Sequence, residues 1–388
     1  MTGHPFRDVA ITAVHNTRQA RVLEGYTSQS LQVEAALGVL DEAGIGRESV
    51  DGVVGQLSAE LIYLLGLGPV WSSSALLGIR SVLSAAQAVA TGAAEVVLVV
   101  DGAAGVYTER ASTAPWTRPS NEFVVSAGMF TAVEFAFIAR RHMEVYGTKP
   151  EHLAKVAATI RNNGHVNPEA VYYGRGPYLV EDVLASRMVA DPFHLLDCSM
   201  TSEGGVALIV TTHDRAQDCP HPPVYILGAG MDQMGPAYQH PPSWDLRGFD
   251  SDDEPLGYIG RRAARKAFAT AGLTPEDVDL CEFYDAFSFE VIRQLEAFGF
   301  CGEGEGGPFV EAGHIDPGGR LPINTDGGLL SFNHSGQAQS LQRVGRAAQQ
   351  LQGVCTTHQV EGAEVALASN FGAGALFTDV ILLGKERP

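Results

Sequence analysis

AALGVLDEAGIGRESVDGVVG (35–55) and AARKAFATAGLTPEDVDLCEF (263–283) carry one pattern twice. Ala43-Gly44 stands 228 residues before Ala271-Gly272, and Val50-Asp51 stands the same 228 residues before Val278-Asp279. Each copy reads as an amphipathic helix stopped at a glycine and followed by a short strand. A second pair follows in the same order. Ala85-Ala86-Gln87 lies in a helix ahead of the apolar run Val96–Val100, and Ala347-Ala348-Gln349 lies in a helix ahead of Val365–Ala368. Matching order predicts two related α/β halves, residues 1–222 and 223–388, joined through the linker RAQDCPHP (215–222).

Between the first half's buried strand and the second copy lies an insert, expected to form a loop domain over about 104–190. It contains the helical stretch FTAVEFAFIARRHMEVYGTKPEHLAKVAATIRNNG (130–164) and the Tyr/Gly/Pro-rich NPEAVYYGRGPYLVED (167–182). An insertion of this size on a regular scaffold commonly covers a ligand site. The acidic stretch Asp250–Glu254 reads as a solvated loop.

Composition narrows the function classes. The chain has 388 residues, 45% hydrophobic and 18% charged, enough for a sizeable core. Its 44 glycines exceed the usual share and imply many tight turns. A net charge of −19 argues against nucleic acid and anionic membranes as partners. The five cysteines (Cys198, Cys219, Cys281, Cys301, Cys355) show no metal-ligand spacing, so no metal is expected. The first residues lack the long apolar run of a signal peptide, and no apolar run is long enough to span a bilayer, which predicts a cytoplasmic protein without membrane contact.

Five stretches resemble the thiolase superfamily, in particular sterol-carrier-protein and lipid-transfer-protein-type thiolases. They are HMEVYGTKPEHLAKVAATIRNNGHVNPEA (142–170), DPFHLLDCSMTSEGGVALIV (191–210), EFYDAFSFEVIRQLEAFGFCGEGEGGPFV (282–310), INTDGGLLSFNHSG (323–336) and ASNFGAGA (368–375). The resemblance implies a thiolase-like fold: two α/β halves in five αβαβα layers with an inserted loop domain, usually as a homodimer.

Departures from the family pattern bear on activity. The nucleophilic cysteine of a thiolase aligns with Ala75, and no cysteine occurs anywhere between Met1 and Asp197. A second family cysteine aligns with Asn370, so the acyl-enzyme route of a thiolase is closed. Tyr284-Asp285-Ala286-Phe287 stands in the family's His-Asp-Cys-Phe position, and Asn333-His334-Ser335 in its Gly-His-Pro position. Loss of the cysteine together with a tyrosine at this place resembles the steroid side-chain-cleaving aldolases. The resemblance implies retro-aldol cleavage of a β-hydroxyacyl-CoA to a ketone and a shorter acyl-CoA. It also implies a heteromeric complex with an OB-fold/zinc-ribbon partner protein, and coenzyme A only as part of the substrate, with no other cofactor.

Retro-aldol chemistry needs a base for the substrate hydroxyl and donors for the thioester oxygen, on which charge develops. Tyr284 is the expected proton-transfer residue. An unperturbed tyrosine near pKa 10 needs a partner, and His334 is the candidate, either as that partner or as the thioester-oxygen donor. Asp285, Phe287, Gly328, Asn333, Asn370 and Gly372 are the expected substrate-binding residues. Asp285 reads equally as the cap of the following helix, and Asp326 as a turn former. Blander readings stand beside these: Tyr284 as a half-buried strand residue, His334 as a cap or core histidine. Arg140-Arg141, Arg261-Arg262 and Arg265-Lys266 read either as contacts for coenzyme A phosphates or as exposed helix faces. Tyr172, Tyr173 and Tyr178 either cover an apolar substrate tail or pack within the insert. Two other functions compete: a non-catalytic acyl-CoA or lipid-binding scaffold subunit, and a condensing acyltransferase using one of Ser72, Ser73 and Ser74, which otherwise read as a helix N-cap.

Overall fold

The computed structural model describes residues 3–75, 77–105, 130–233, 259–372 and 377–388. The expected acidic loop at 250–254 and the insert residues 106–129 lie outside them.

The first half runs β1 (Val9–Asn16), α1 (Ser28–Ala43), β2 (Gly52–Val54), α2 (Ser58–Leu65), β3 (Trp71–Ser73), α3 (Ile79–Ala90) and β4 (Val96–Ala103). The insert follows with α4 (Thr131–Tyr146), α5 (Pro150–Val166), α6 (Val180–Ala185) and the hairpin β5 (Met188–Ala190)–β6 (Phe193–His194). Strand β7 (Gly204–Thr212) and the short α7 (His213–Ala216) return to the first half. The second half runs β8 (Val224–Gln233), α8 (Arg261–Ala271), β9 (Leu280–Glu282), α9 (Ser288–Ala297), α10 (Gly306–Glu311), α11 (Ala338–Gln352), β10 (Val365–Gly372) and β11 (Phe377–Gly384).

The duplicated sequence builds the same device twice. Helix α1 ends on Gly44 at φ 65° and α8 on Gly272 at φ 68°, the left-handed conformation that glycine adopts without cost. A 3-10 turn follows at Arg47–Ser49 and again at Pro275–Asp277. Asp51 then accepts the backbone N–H groups of Glu95 and Val96, while Asp279 accepts those of Glu364 and Val365. In each half this carboxylate ties the start of one parallel strand to the next.

The strands order as β3-β2-β4-β7-β1-β8-β11-β10-β9, nearly mirror-like about the β1/β8 seam. That seam is thin: Ala10 pairs with Tyr225 and Ile11 with Val224. Most of the cohesion lies elsewhere. Helices α3 and α11 pack on each other and on strands of both halves, forming a shared core with Val82, Leu341 and Val344. Helix α1 covers the outer face of the first half and α8 that of the second, which gives the αβαβα layering. Each fully buried aliphatic side chain there contributes about 1.5–3 kcal/mol. The insert leans on the second half: α5 packs on α9, α10 and a π turn at Gly328–Phe332. Among the described residues no helix is long and apolar enough to cross a membrane.

Candidate active site

Tyr284 follows β9 and is fixed through its backbone. Its N–H points to Ser369 Oγ at 3.4 Å and its carbonyl accepts from Gln294 Nε2 at 2.7 Å, while Ser369 Oγ donates to Gln294 Oε1 at 2.5 Å. One residue earlier, the Asn324 amide takes the N–H of Phe283 at 2.6 Å and donates to its carbonyl at 3.0 Å, so a side chain continues the sheet where no strand is available. Asp285 is fully buried. It does not cap the helix that follows. Its oxygens accept from the N–H groups of Leu329 (2.8 Å) and Leu330 (3.1 Å), capping the π turn instead, and burial pushes it up to about 6. Gly328 makes this approach feasible, because a Cβ there would sit 2.3 Å from Asp285 Oδ2. Phe287 is wedged between Phe135 and Phe193 of the insert, with ring centroids 4.9 and 5.0 Å away.

Beneath this loop, Arg343 of α11 bonds Glu282 and Asp326 at 2.7–2.8 Å, all three buried. Asp326 also accepts the N–H of Gly328 at 2.8 Å. It is therefore a turn former, as expected, and an ion-pair partner that the sequence did not disclose.

His334 is half-buried and meets a short segment of the second family-like stretch, DCSMTS (197–202). Ser199 Oγ lies 2.7 Å from His334 Nδ1, and the Ser199 N–H donates to the carbonyl of Ala286 at 2.8 Å. Ser199 thus joins the loop carrying Tyr284 to the histidine. Ser202 Oγ accepts the N–H of His334 at 2.7 Å, and the Ser202 N–H donates to the His334 carbonyl at 3.1 Å. Burial lowers His334 to about 4, so its ring is neutral at neutral pH. Asn333 points its amide into a buried network: it accepts from Ser202 Oγ and donates to Gln19, Ser335 and Gln342. These bonds occupy its donors and anchor the chain beside His334.

The insert closes over the same region. The N–H groups of Val171 and Tyr172 donate to Phe332 and Ser331 of the π turn, and Tyr172 OH reaches Met200 Sδ at 3.1 Å. Tyr172 is buried beneath Arg161 and Arg175, whereas Tyr173 is 57% exposed. Of the basic groups, Arg140 faces Asp191 at 3.7 Å and Arg261 faces Glu303 at 2.6 Å.

At the position expected for a thiolase cysteine, Ala75 precedes a turn with Leu77 at φ 70° and Gly78 at φ 50°, pressed against α11. Ser72 and Ser73 belong to strand β3 and do not cap α3, whose N-cap is Gly78. The Ser73 hydroxyl accepts from Ser84 Oγ at 3.1 Å. Asn370 pairs in register with Asp379, whose two oxygens share the Arg80 Nε–H at 2.9 and 3.0 Å. Gly372 ends β10 opposite Phe377. Burial raises all five thiols, Cys198, Cys301 and Cys355 to about 12, which leaves no activated thiolate.

Residues 251–385 match a family model described as "Thiolase C-terminal domain-like". An "Acetyl-CoA acetyltransferase" of Methanothermobacter thermautotrophicus is 33% identical, over 94% of this chain and 96% of its own. The chain belongs to the thiolase superfamily. Other relatives of this thiolase-superfamily chain carry lyase names. A "Steroid side-chain-cleaving aldolase" of Thermomonospora curvata is 34% identical over 79% of this chain and 81% of that protein. A "17-hydroxy-3-oxo-4-pregnene-20-carboxyl-CoA lyase" of Mycobacterium tuberculosis is 32% identical over 92% and 95%. A solved structure titled "Ltp2-ChsH2(DUF35) aldolase" superposes with a TM-score of 0.83 at 29% identity, covering 97% of this chain and 98% of that one.

Proposed function

We propose that this protein is a carbon–carbon lyase performing retro-aldol cleavage of a β-hydroxyacyl-CoA. The observation that carries the reading is the pairing, through Ser199, of the Tyr284 loop with a neutral His334 in a site without an activated thiolate. A condensing acyltransferase needs a nucleophile to carry the acyl group. Ala75 cannot supply one, and Ser73 is bonded to Ser84 with no described base beside it.

In the proposed reaction Tyr284, as its phenolate, takes the proton of the substrate's tertiary hydroxyl. The O–H electron pair becomes the ketone C=O, the Cα–Cβ bond breaks, and its electrons move onto the thioester as an enolate. The Tyr284 phenol returns that proton to Cα, which releases the shorter acyl-CoA and restores the phenolate. Each step uses protons and donors alone.

The relatives' names support a steroid side-chain thioester as substrate and a partner of the kind in the superposed complex. We extend this to an OB-fold/zinc-ribbon protein bound to a homodimer in the cytoplasm. The test is a coenzyme A thioester of a tertiary β-hydroxy acid, incubated with the protein with and without such a partner, with ketone and acyl-CoA followed by mass spectrometry. Cleavage that Tyr284→Phe abolishes and His334→Ala strongly reduces is the expected result. No cleavage with the partner present overturns the reading in favour of a non-catalytic binding subunit.

A further inference from the structure

A cavity of about 400 Å³, a volume within the range of small-molecule sites, lies between helix α5 of the insert and two loops of the second half. None of the residues assigned above to the candidate active site lines it. Its mouth carries the exposed Pro317, Gly318 and Glu361, and its floor the buried Asn163, Pro322 and Thr325. We infer that this cavity is a second binding site, for a small uncharged molecule that joins an apolar ring to one hydroxyl or N–H donor.

Asn163 sets the polar requirement. Its Nδ2 donates to the carbonyls of Ile323 and Asn324, each at 3.1 Å, and this pair of acceptors fixes the orientation of the amide. Oδ1 is thereby an acceptor that bonds no described residue, and an acceptor at the floor of a cavity calls for a donor. The Thr325 hydroxyl is already spent: it accepts from Arg346 and Gln350 and donates to Glu282, each at 2.8 Å. Its methyl group joins Pro317 and Pro322 in an apolar wall.

Charge of either sign is opposed. Glu361 at the mouth and the net charge of −19 repel an anion. Burial, and then the nearby Arg346, hold His358 below its ordinary value, so its ring is neutral at neutral pH and the same guanidinium repels a cation. His358 also lines the cavity. Its carbonyl accepts from Gln350 Nε2 at 2.7 Å, and neither ring nitrogen bonds a described residue. Its backbone is held at φ 46°, a left-handed conformation that costs a residue with a Cβ. Strain of this kind persists at ligand clamps, and here it sets an aromatic ring on the wall of the cavity.

The test is calorimetric titration with phenol, beside anisole, which lacks the donor, and the charged benzoate and benzylammonium. The ring signals of His358 are followed in protein labelled with carbon-13 at its 12 histidines. His358→Gly assigns those signals by their loss, and glycine adopts the left-handed φ without strain. We expect phenol to bind with the His358 signals shifting along the same isotherm, and each analogue to bind about tenfold more weakly or worse. His358→Gly should weaken phenol about threefold or more while raising the urea midpoint. Asn163→Ala should erase the preference for phenol over anisole; if that variant does not fold, the wild-type ratio decides alone. Equal binding of phenol and anisole, phenol that leaves the His358 signals unmoved, or no saturation by about 20 mM overturns the inference. None of these readouts uses thioester cleavage, so the site stands or falls apart from the lyase reading.

Discussion

Arg343 grips Asp326 with both ends of its guanidinium, Nη1 at 2.8 Å from Oδ1 and Nη2 at 2.7 Å from Oδ2. Neither side chain meets solvent to any extent, and Glu282 shares the same cation. Two carboxylates and one guanidinium buried together are tolerable only while all contacts hold, because each ion has given up its water.

Arg343→Met should therefore strand Glu282 and Asp326 without their cation. We expect a loss of about 3–5 kcal/mol in urea unfolding. Arg343→Lys should recover only part of it, since an ammonium cannot reproduce the planar two-point contact.

Gly328 and Asp285 should behave as a coupled pair. Gly328→Ala places a methyl group against the Asp285 carboxylate and forces a left-handed φ on alanine, costing about 1–3 kcal/mol from the backbone alone. Asp285→Ala removes the clash and also the cap of the π turn. The double variant should cost less than the sum of the singles, as read from a double-mutant cycle in urea.

Replacing Ser72, Ser73 and Ser74 together by alanine should leave thioester cleavage within about twofold of wild type, because a change this small is under roughly 0.5 kcal/mol of barrier. Loss of a covalent acyl adduct in that variant would instead revive the condensing reading.

The fold was legible because its decisive signals are local. Ala-Gly stops a helix and Val-Asp starts a strand within about ten residues of each other, and each signal works with near neighbours. Tyr284 and His334 could be singled out as candidates through a family likeness for the same reason: their motifs are short and contiguous. Ser199 was not, because its bond to His334 spans 135 residues and its own motif gives no sign of what it faces. The serines before α3 misled in the opposite direction. Ser-Ser-Ser ahead of an apolar helix is a capping signal, but pairing of Trp71–Ser73 with β2 outweighed that preference and the helix began later, at Ile79.

The depressed His334 gives stability a pH slope. Its folded value is about 4 against 6.5 when unfolded, so the unfolded chain binds the extra proton between those values. Stability should fall as pH drops from about 6.5 to about 4 and be fully restored above it. His334→Gln should flatten that part of the curve, measured as the urea midpoint against pH.

Sharing α3 and α11 between the halves has a consequence for how the chain is made. Helix α11 begins only at Ala338, so the whole first half leaves the ribosome before it. Until then the inner face of the first half, with Ile79, Val82 and Leu83 of α3, has no cover. The amino-terminal half is consequently not an independent folding unit during synthesis. It waits for a helix that begins only at Ala338, and meanwhile offers an apolar surface of the kind chaperones hold.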